Sequence, residues 1–298
     1  MTELEVREAA AAAVERPLRA EPERRTDRVT VIRASSPWPT LDLRELWAYR
    51  ELLAIFVWRD VKVRYKQTFV GAGWAVLQPF VTMLVYTLIF GRYAKIPSQN
   101  LAYPLFTYVA LLPWGYFSSS LSSSGTSVVS NRSLVTKVYF PRVLLPFGAV
   151  ATPAVDFLLA FGVGFGLMAY FGVWPSWLVV TAPLFLLLAA VAAVGIGLFL
   201  SAVNVRYRDV PYVIPFFLGI GPFVSGVMYP VADLPEHWQW VLAANPMTGV
   251  IAGFRWALLD APAPDLGQLG VGIAVAVLVF LGGLAFFKHS EPRFADTI

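Results

Sequence analysis

The stretch LVVTAPLFLLLAAVAAVGIGLFLSAV, residues 178–203, contains no charged side chain. A helix needs roughly 20 mostly apolar residues to cross the ~30 Å hydrocarbon layer of a bilayer, and this stretch supplies them. Working outward, the same pattern recurs at 68–91, 103–121 and 143–171 on one side and at 212–231 and 266–287 on the other. Asp156 is the single carboxylate inside any of these runs. The expectation is an all-α integral membrane protein with six transmembrane helices. Composition agrees: 57% of residues are hydrophobic and 14% charged, where a soluble domain carries about a quarter charged. The charges gather in short clusters, as a bilayer imposes, because an ionised group at its centre costs at least ~2.5 kcal/mol. The net charge of +4 then belongs to membrane-anchoring loops, and nucleic acid is not an expected partner.

Three segments need separate reading. Residues 1–40, rich in Ala, Arg and Glu, lack the apolar centre of a signal peptide and read as a disordered cytoplasmic tail. Across 41–65, Leu43, Leu46, Trp47, Leu53, Ala54, Val57 and Val61 recur at helical spacing, interrupted by Arg50. Six flanking charges forbid a crossing, so this is an amphipathic helix at the membrane surface. Residues 237–259 are apolar but divided by Asn245-Pro246 into two pieces too short to span. They are expected to form a re-entrant helical hairpin between spans five and six, since non-helical backbone at membrane depth must be covered by protein.

Orientation follows from the cations. Arg59, Lys62, Arg64 and Lys66 precede span one; Arg132, Lys137 and Arg142 lie between spans two and three; Arg206 and Arg208 lie between four and five; Lys288 and Arg293 follow six. Six spans put all these loops on one side, with both termini cytoplasmic.

Enzyme chemistry finds little support. The chain has no cysteine, and His237 and His289 are too few for an all-histidine metal site. No phosphate-binding Gly-x-x-x-x-Gly-Lys-Ser/Thr loop and no Gly-x-Ser-x-Gly elbow occur. Asp156 fits either a proton pathway or a hydrogen bond to a neighbouring helix. The serines at 118–120 and 122–124 favour close helix packing. Residues 131–141 form a short basic helix stopped by Pro141, with Leu134, Val135, Val138 and Tyr139 on one apolar face. That face suits either a headgroup-anchored loop or a surface that docks into a motor protein. Aromatic residues concentrate in span one (Trp74, Phe80, Tyr86, Phe90) and span five (Tyr212, Phe216, Phe217, Phe223, Tyr229). Flat rings of this kind stack on sugars, although most membrane aromatics face lipid.

Four motifs in order carry a family resemblance. They are VWRDVKVRYKQT (57–68) followed by Gly71, Trp74 and Gln78-Pro79; LVTKVYFPR (134–142); NVRYRDV (204–210); and NPMTG (245–249). Together they resemble the permeases of ABC-2 type polysaccharide exporters over residues 41–298. The resemblance implies two copies of this chain with two copies of a separate cytoplasmic ABC ATPase, which would hold ATP and Mg. It also implies a bacterial inner-membrane location and a polyprenyl-pyrophosphate-linked glycan, such as an O-antigen or teichoic acid, as cargo. By this likeness Asn131, Arg132, Leu134, Val135, Lys137, Val138, Tyr139 and Phe140 couple to the ATPase. Arg59, Lys62, Arg64 and Lys66 would attract the lipid pyrophosphate or anchor to anionic lipid. Trp74, Tyr86, Phe90, Tyr212, Phe216, Phe223 and Tyr229 would line the glycan conduit. Within the same class, a drug or small-lipid exporter is the alternative. A membrane enzyme acting on polyprenyl-linked sugars would need a catalytic cluster that the sequence lacks, and a secondary transporter would need a repeated pair of broken helices.

Overall fold

The computed structural model describes residues 47–66 and 69–294. The expected tail over 1–40, the beginning of the expected surface helix (Leu43 and Leu46 included) and the 67–68 junction lie outside the described residues.

Every regular element among the described residues is helical. Helix α1 is Arg50–Lys66, and α2 is Phe69–Tyr86, which runs on into a π-helical segment at Thr87–Tyr93. Helix α3, Tyr103–Ser130, is followed by the short α4, Arg132–Lys137. Helices α5 (Leu144–Ala151) and α6 (Pro153–Tyr170) join at Thr152, which keeps helical angles. Pro153 lacks an N–H and so interrupts the ladder between α5 and α6. Then come α7 (Ala182–Arg206), α8 (Val210–Val224), α9 (Glu236–Ala243), α10 (Pro246–Leu259) and α11 (Leu266–Ser290).

Four helices among the described residues are long and apolar enough to cross a membrane: Gly73–Tyr93, Leu144–Tyr170, Trp177–Arg206 and Leu266–Arg293. The stretches expected as spans two and five differ from these. Helix α3 has 28 residues, roughly 42 Å at 1.5 Å per residue, but its serines dilute its apolarity. Helix α8 has 15 residues, about 22 Å, contains Pro215 and Pro222, and ends at Val224. Helices α9 and α10, of 8 and 14 residues, are each shorter than the ~30 Å hydrocarbon core. Asn245 accepts a hydrogen bond from the Met247 N–H at 3.0 Å, so the Asn-Pro pair that divides α9 from α10 also caps α10.

The serine-bearing helix is the centre of the bundle. Leu105, Phe106, Tyr108, Val109 and Ala110 of α3 are fully buried, and most of its remaining residues are buried too. Helices α7 and α11 cross at Gly195 and Gly283, where a Cβ on Gly283 would lie 2.1 Å from the Gly195 carbonyl oxygen. Lipid tails are as apolar as leucine, so helices in a bilayer associate by close packing, which glycine permits. Helix α2 is the opposite case: only 6% of its spanning window is buried within the chain, against 56% for Leu144–Tyr170.

Helix α1 packs Leu53, Phe56 and Val57 over Gly148 of α5, while Trp47, Ile55, Trp58 and Val63 are exposed. Around the helix the exposed Glu51, Lys62 and Lys66 fall among these apolar side chains, so the outer side of α1 is mixed rather than a single apolar face. Arg50, the interruption in its stripe, donates to the Trp47 carbonyl at 3.1 Å.

Candidate functional site

The last turn of α1 meets the first turn of α6 at a carboxylate. Asp156 pairs with Arg64 at 2.7 Å and accepts a short hydrogen bond from the Tyr65 hydroxyl. Of the two roles open to Asp156, the geometry provides the partner on a neighbouring helix. Partial burial of the Tyr65 hydroxyl, together with its bond to the Asp156 carboxylate, pushes the phenol up to about 12.

This junction forms one wall of a cavity of about 240 Å³ lined by Arg64, Trp74, Gln78, Tyr86, Tyr116 and Asp156. One expected entrance cation and two expected conduit aromatics therefore face a common space. Beyond Tyr86 the rings continue edge-to-face: Tyr86 to Phe90 at 5.7 Å, and Phe90 to Phe223 of α8 at 6.4 Å. Tyr229 joins this seam by donating to the Phe223 carbonyl at 2.7 Å. Tyr212 and Phe216 do not join it; both are exposed nearer the start of α8.

The serines of α3 divide by face. Ser120 and Ser124 are buried, the latter where a Cβ on Gly197 would lie 2.5 Å from its own Cβ. Ser118 and Ser119 line the 240 Å³ cavity, and Ser123 and Ser127 line a wide groove between α1, α3 and α5. Close packing accounts for the first pair and polar lining for the others.

The four expected entrance cations differ in their partners. Arg59 is held by Asp60 at 2.7 Å and donates to Asn131 Oδ1 at 2.9 Å, and Arg64 is held by Asp156, whereas Lys62 and Lys66 are exposed. The Arg59–Asn131 bond ties α1 to the segment expected to couple. Within that segment Leu134 and Val135 pack inward from α4, which ends at Lys137, so Val138 and Tyr139 fall in an extended strand-like stretch beyond it. Phe140 is buried edge-to-face on Phe56 at 5.6 Å. Tyr139 is 89% exposed. The single apolar face read from periodicity is therefore split, because its last two members leave the helix before Pro141; the residue preceding a proline is itself driven to extended angles. Arg142 closes the segment, its N–H bonded to Glu291 Oε1 at 3.0 Å, with Lys288 on the other carboxylate oxygen at 2.9 Å.

The sequence matches the ABC-2 type transporter family over residues 51–259, which runs from α1 to the end of α10. The chain belongs to that family. An O-antigen export system permease protein of Myxococcus xanthus is 32% identical over 259 residues, covering 86% of this chain and 98% of the relative. A Klebsiella pneumoniae protein of the same description is 25% identical, covering 83% and 95%. The polysialic acid transport protein of Escherichia coli is 24% identical, covering 80% and 92%.

In this ABC-2 chain the match contains the Asp156 junction, the aromatic seam and the 131–142 segment, and it also contains a residue that periodicity passed over. Arg255 of α10 is buried among carbonyls, donating to Phe106 O at 3.3 Å, Gly226 O at 2.9 Å and Val227 O at 2.7 Å. Its guanidinium stacks on the Phe106 ring, 3.4 Å from the centroid. The available signal was an arginine alone in an apolar stretch with no acid on the same helix. This ABC-2 transporter thus uses Arg255 to fasten the turn after α8 to the first turn of α3, aided by Tyr103, which donates to Met228 O at 2.8 Å.

Proposed function

We propose that this chain is the membrane-spanning subunit of an ATP-driven exporter that carries a lipid-linked polysaccharide across a bacterial cytoplasmic membrane. The observation that carries the reading is the near full-length likeness, at 24% to 32% identity, to relatives named for O-antigen export and polysialic acid transport.

The geometry supports it in three ways. The spanning part of α2 is left almost unburied by its own chain, so that face suits a second copy, and the Tyr86–Phe90–Phe223 seam lies beside it. Two copies meeting there would enclose an aromatic conduit in which sugars slide over ring faces without being trapped. The cation-rich end, with Lys62 and Lys66 exposed beside Arg64, suits the arrival of a lipid pyrophosphate. Tyr139 projects from the same end, where a separate ATPase would push on it; the chain carries no phosphate loop of its own. The membrane topology in this reading is six crossings: the four long apolar helices plus α3, shielded at the centre of the bundle, and α8 continued by the apolar stretch that follows it as far as Val231. Helices α9 and α10 form the re-entrant pair, and both termini are cytoplasmic.

The test is purification of the tagged chain from mild detergent, followed by ATPase and transport assays in vesicles. Co-purification of a phosphate-loop ATPase, with glycan-dependent ATP hydrolysis and glycan movement, is the expected result. Movement of a drug or phospholipid with no effect of glycan would replace the cargo, and a chain that never associates with an ATPase would end the reading.

A further inference from the structure

The start of α5 takes a partner from the far end of the chain. The first N–H groups of a helix have no acceptor within it, and a polar side chain just before the helix usually supplies one. Pro141, Arg142 and Val143 lead into α5, and none has a side-chain acceptor. The Leu144 and Leu145 N–H groups bond to the Pro141 and Arg142 carbonyls at 3.1 Å, so Arg142 belongs to this first turn. Its own N–H is answered by Glu291 Oε1 at 3.0 Å, 149 residues away. The Arg142 guanidinium also donates to the Glu291 carbonyl.

Glu291 is itself fixed. Lys288, one turn earlier, holds its second carboxylate oxygen at 2.9 Å, and the two side chains are only 22% and 19% exposed. Beyond it Phe294, 2% exposed, folds back edge-to-face on Phe287 at 5.2 Å. A carboxylate shared between an ammonium and a backbone N–H makes charge-assisted bonds, roughly twice as strong as neutral ones.

What this contact holds is the stretch that carries Tyr139. The chain turns extended at Val138, after α4, and is then pinned twice: by Phe140 on Phe56 of α1 and by Arg142 on Glu291. Tyr139 stands three residues from Arg142, within about 10 Å at ~3.3 Å per residue. A push on Tyr139 therefore reaches α5 directly and α11 through Glu291. From α11 it has little room to dissipate. Phe280 of α11 meets Phe147 of α5 edge-to-face at 6.2 Å, and the Gly195–Gly283 crossing brings the α7 and α11 backbones together. We infer that Glu291 is a positioning residue for ATP-driven transport: its carboxylate sets the 138–142 segment against α11, so that movement of a docked Tyr139 reaches the α11–α7 pair. This role rests on the exporter reading above, with Tyr139 as the docking ring, and adds to it a residue that lies beyond the 51–259 family match.

The experiment uses the full-length chain with its ATPase in vesicles supplied with the glycan, and reads glycan moved per ATP hydrolysed. Glu291→Ala should lower that ratio about tenfold, as for one lost hydrogen bond to a charged group, while the ATPase stays bound. Glu291→Gln keeps an acceptor for the Arg142 N–H and should recover most of the ratio. Lys288→Met leaves the Glu291 acceptor in place and should stay near wild type. A purely structural loss would lower both rates together and leave the ratio unchanged. Because the chain has no cysteine, Arg142→Cys with Glu291→Cys gives a second arm that decides if Glu291→Ala fails to assemble. Joining the two thiols with a short cross-linker should restore the ratio that the unjoined pair has lost. An unchanged ratio in Glu291→Ala, an equal loss in Lys288→Met, a ratio indifferent to the cross-link, or failure of the two thiols to join overturns the inference and leaves the exporter reading intact. A wild-type chain with no glycan-dependent ATP hydrolysis removes the exporter reading and this inference with it.

Discussion

Arg64 and Asp156 meet at 2.7 Å where the last turn of α1 crosses the first turn of α6. Residues 92 positions apart in the chain are joined at the rim of the cavity that also holds Trp74 and Tyr86. Any motion of α1 away from the bundle has to break this contact.

Solvent reaches the Arg64 side chain, so the pair is worth about 1 kcal/mol rather than the several of a dry ion pair. Asp156→Ala and Arg64→Ala should each lower the melting temperature of the detergent-purified protein. The double variant should lose less than the sum of the two, by about 1 kcal/mol. Strict additivity would show that the contact contributes nothing.

The neighbouring Tyr65 makes a second, pH-dependent prediction. Its hydroxyl is raised from 10 to about 12 in the folded chain, by burial first and then by its bond to Asp156. A raised group stabilises the fold below its unfolded pKa and loses that contribution as pH climbs through the folded one. Thermal stability should therefore carry the full Tyr65 contribution, without pH dependence from this group, around neutrality and should fall between pH 10 and 12. Tyr65→Phe should flatten that alkaline decline in a melting series from pH 9 upward, and an unchanged slope would disprove the assignment.

The α7–α11 crossing allows a sharper structural test. A Cβ on Gly195 would lie 2.6 Å from the backbone of Phe280, which cannot swing aside as a side chain can. Gly195→Ala should cost about 1–3 kcal/mol, the range for overpacking a filled interior. Gly282→Ala, with nothing within 4 Å, is the matched control and should be neutral. Size-exclusion profiles after a heat step separate the two.

Tyr139 and Phe140 are adjacent but should fail differently. Tyr139→Ala removes an exposed ring, so folding should be unaffected while ATPase capture and ATP-driven export fall. Phe140→Ala removes a ring buried on Phe56 and should destabilise by about 3–5 kcal/mol. Equal loss of stability in both would refute the assignment of Tyr139 to docking.

The order and position of the long apolar runs were legible in the sequence because the bilayer acts locally. It demands enough consecutive apolar residues and penalises each charge where it stands, whatever the rest of the chain does. The break at Asn245-Pro246 was legible for the same reason, since an Asn-Pro pair states its own backbone geometry, whereas the cap that Asn245 forms on α10 was not read from it. The serines at 118–124 mislead such a reading, because they sit on a helix shielded from lipid by other helices.

The sequence by itself determined a helical membrane protein, its clusters of basic residues, the break at Asn245-Pro246 and the family motifs. Only the tertiary structure decided which side chains meet. Arg64 with Asp156, Arg59 with Asn131, and Arg255 with three carbonyls are encounters between distant segments that no spacing encodes. It also separated Phe90 and Phe223, which touch, from Tyr212 and Phe216, which do not join them. Hydropathy and periodicity record how one residue meets its solvent and which face of its own helix it occupies. The rotation of one helix against another is fixed by packing across the whole bundle, and that settled which polar groups found partners.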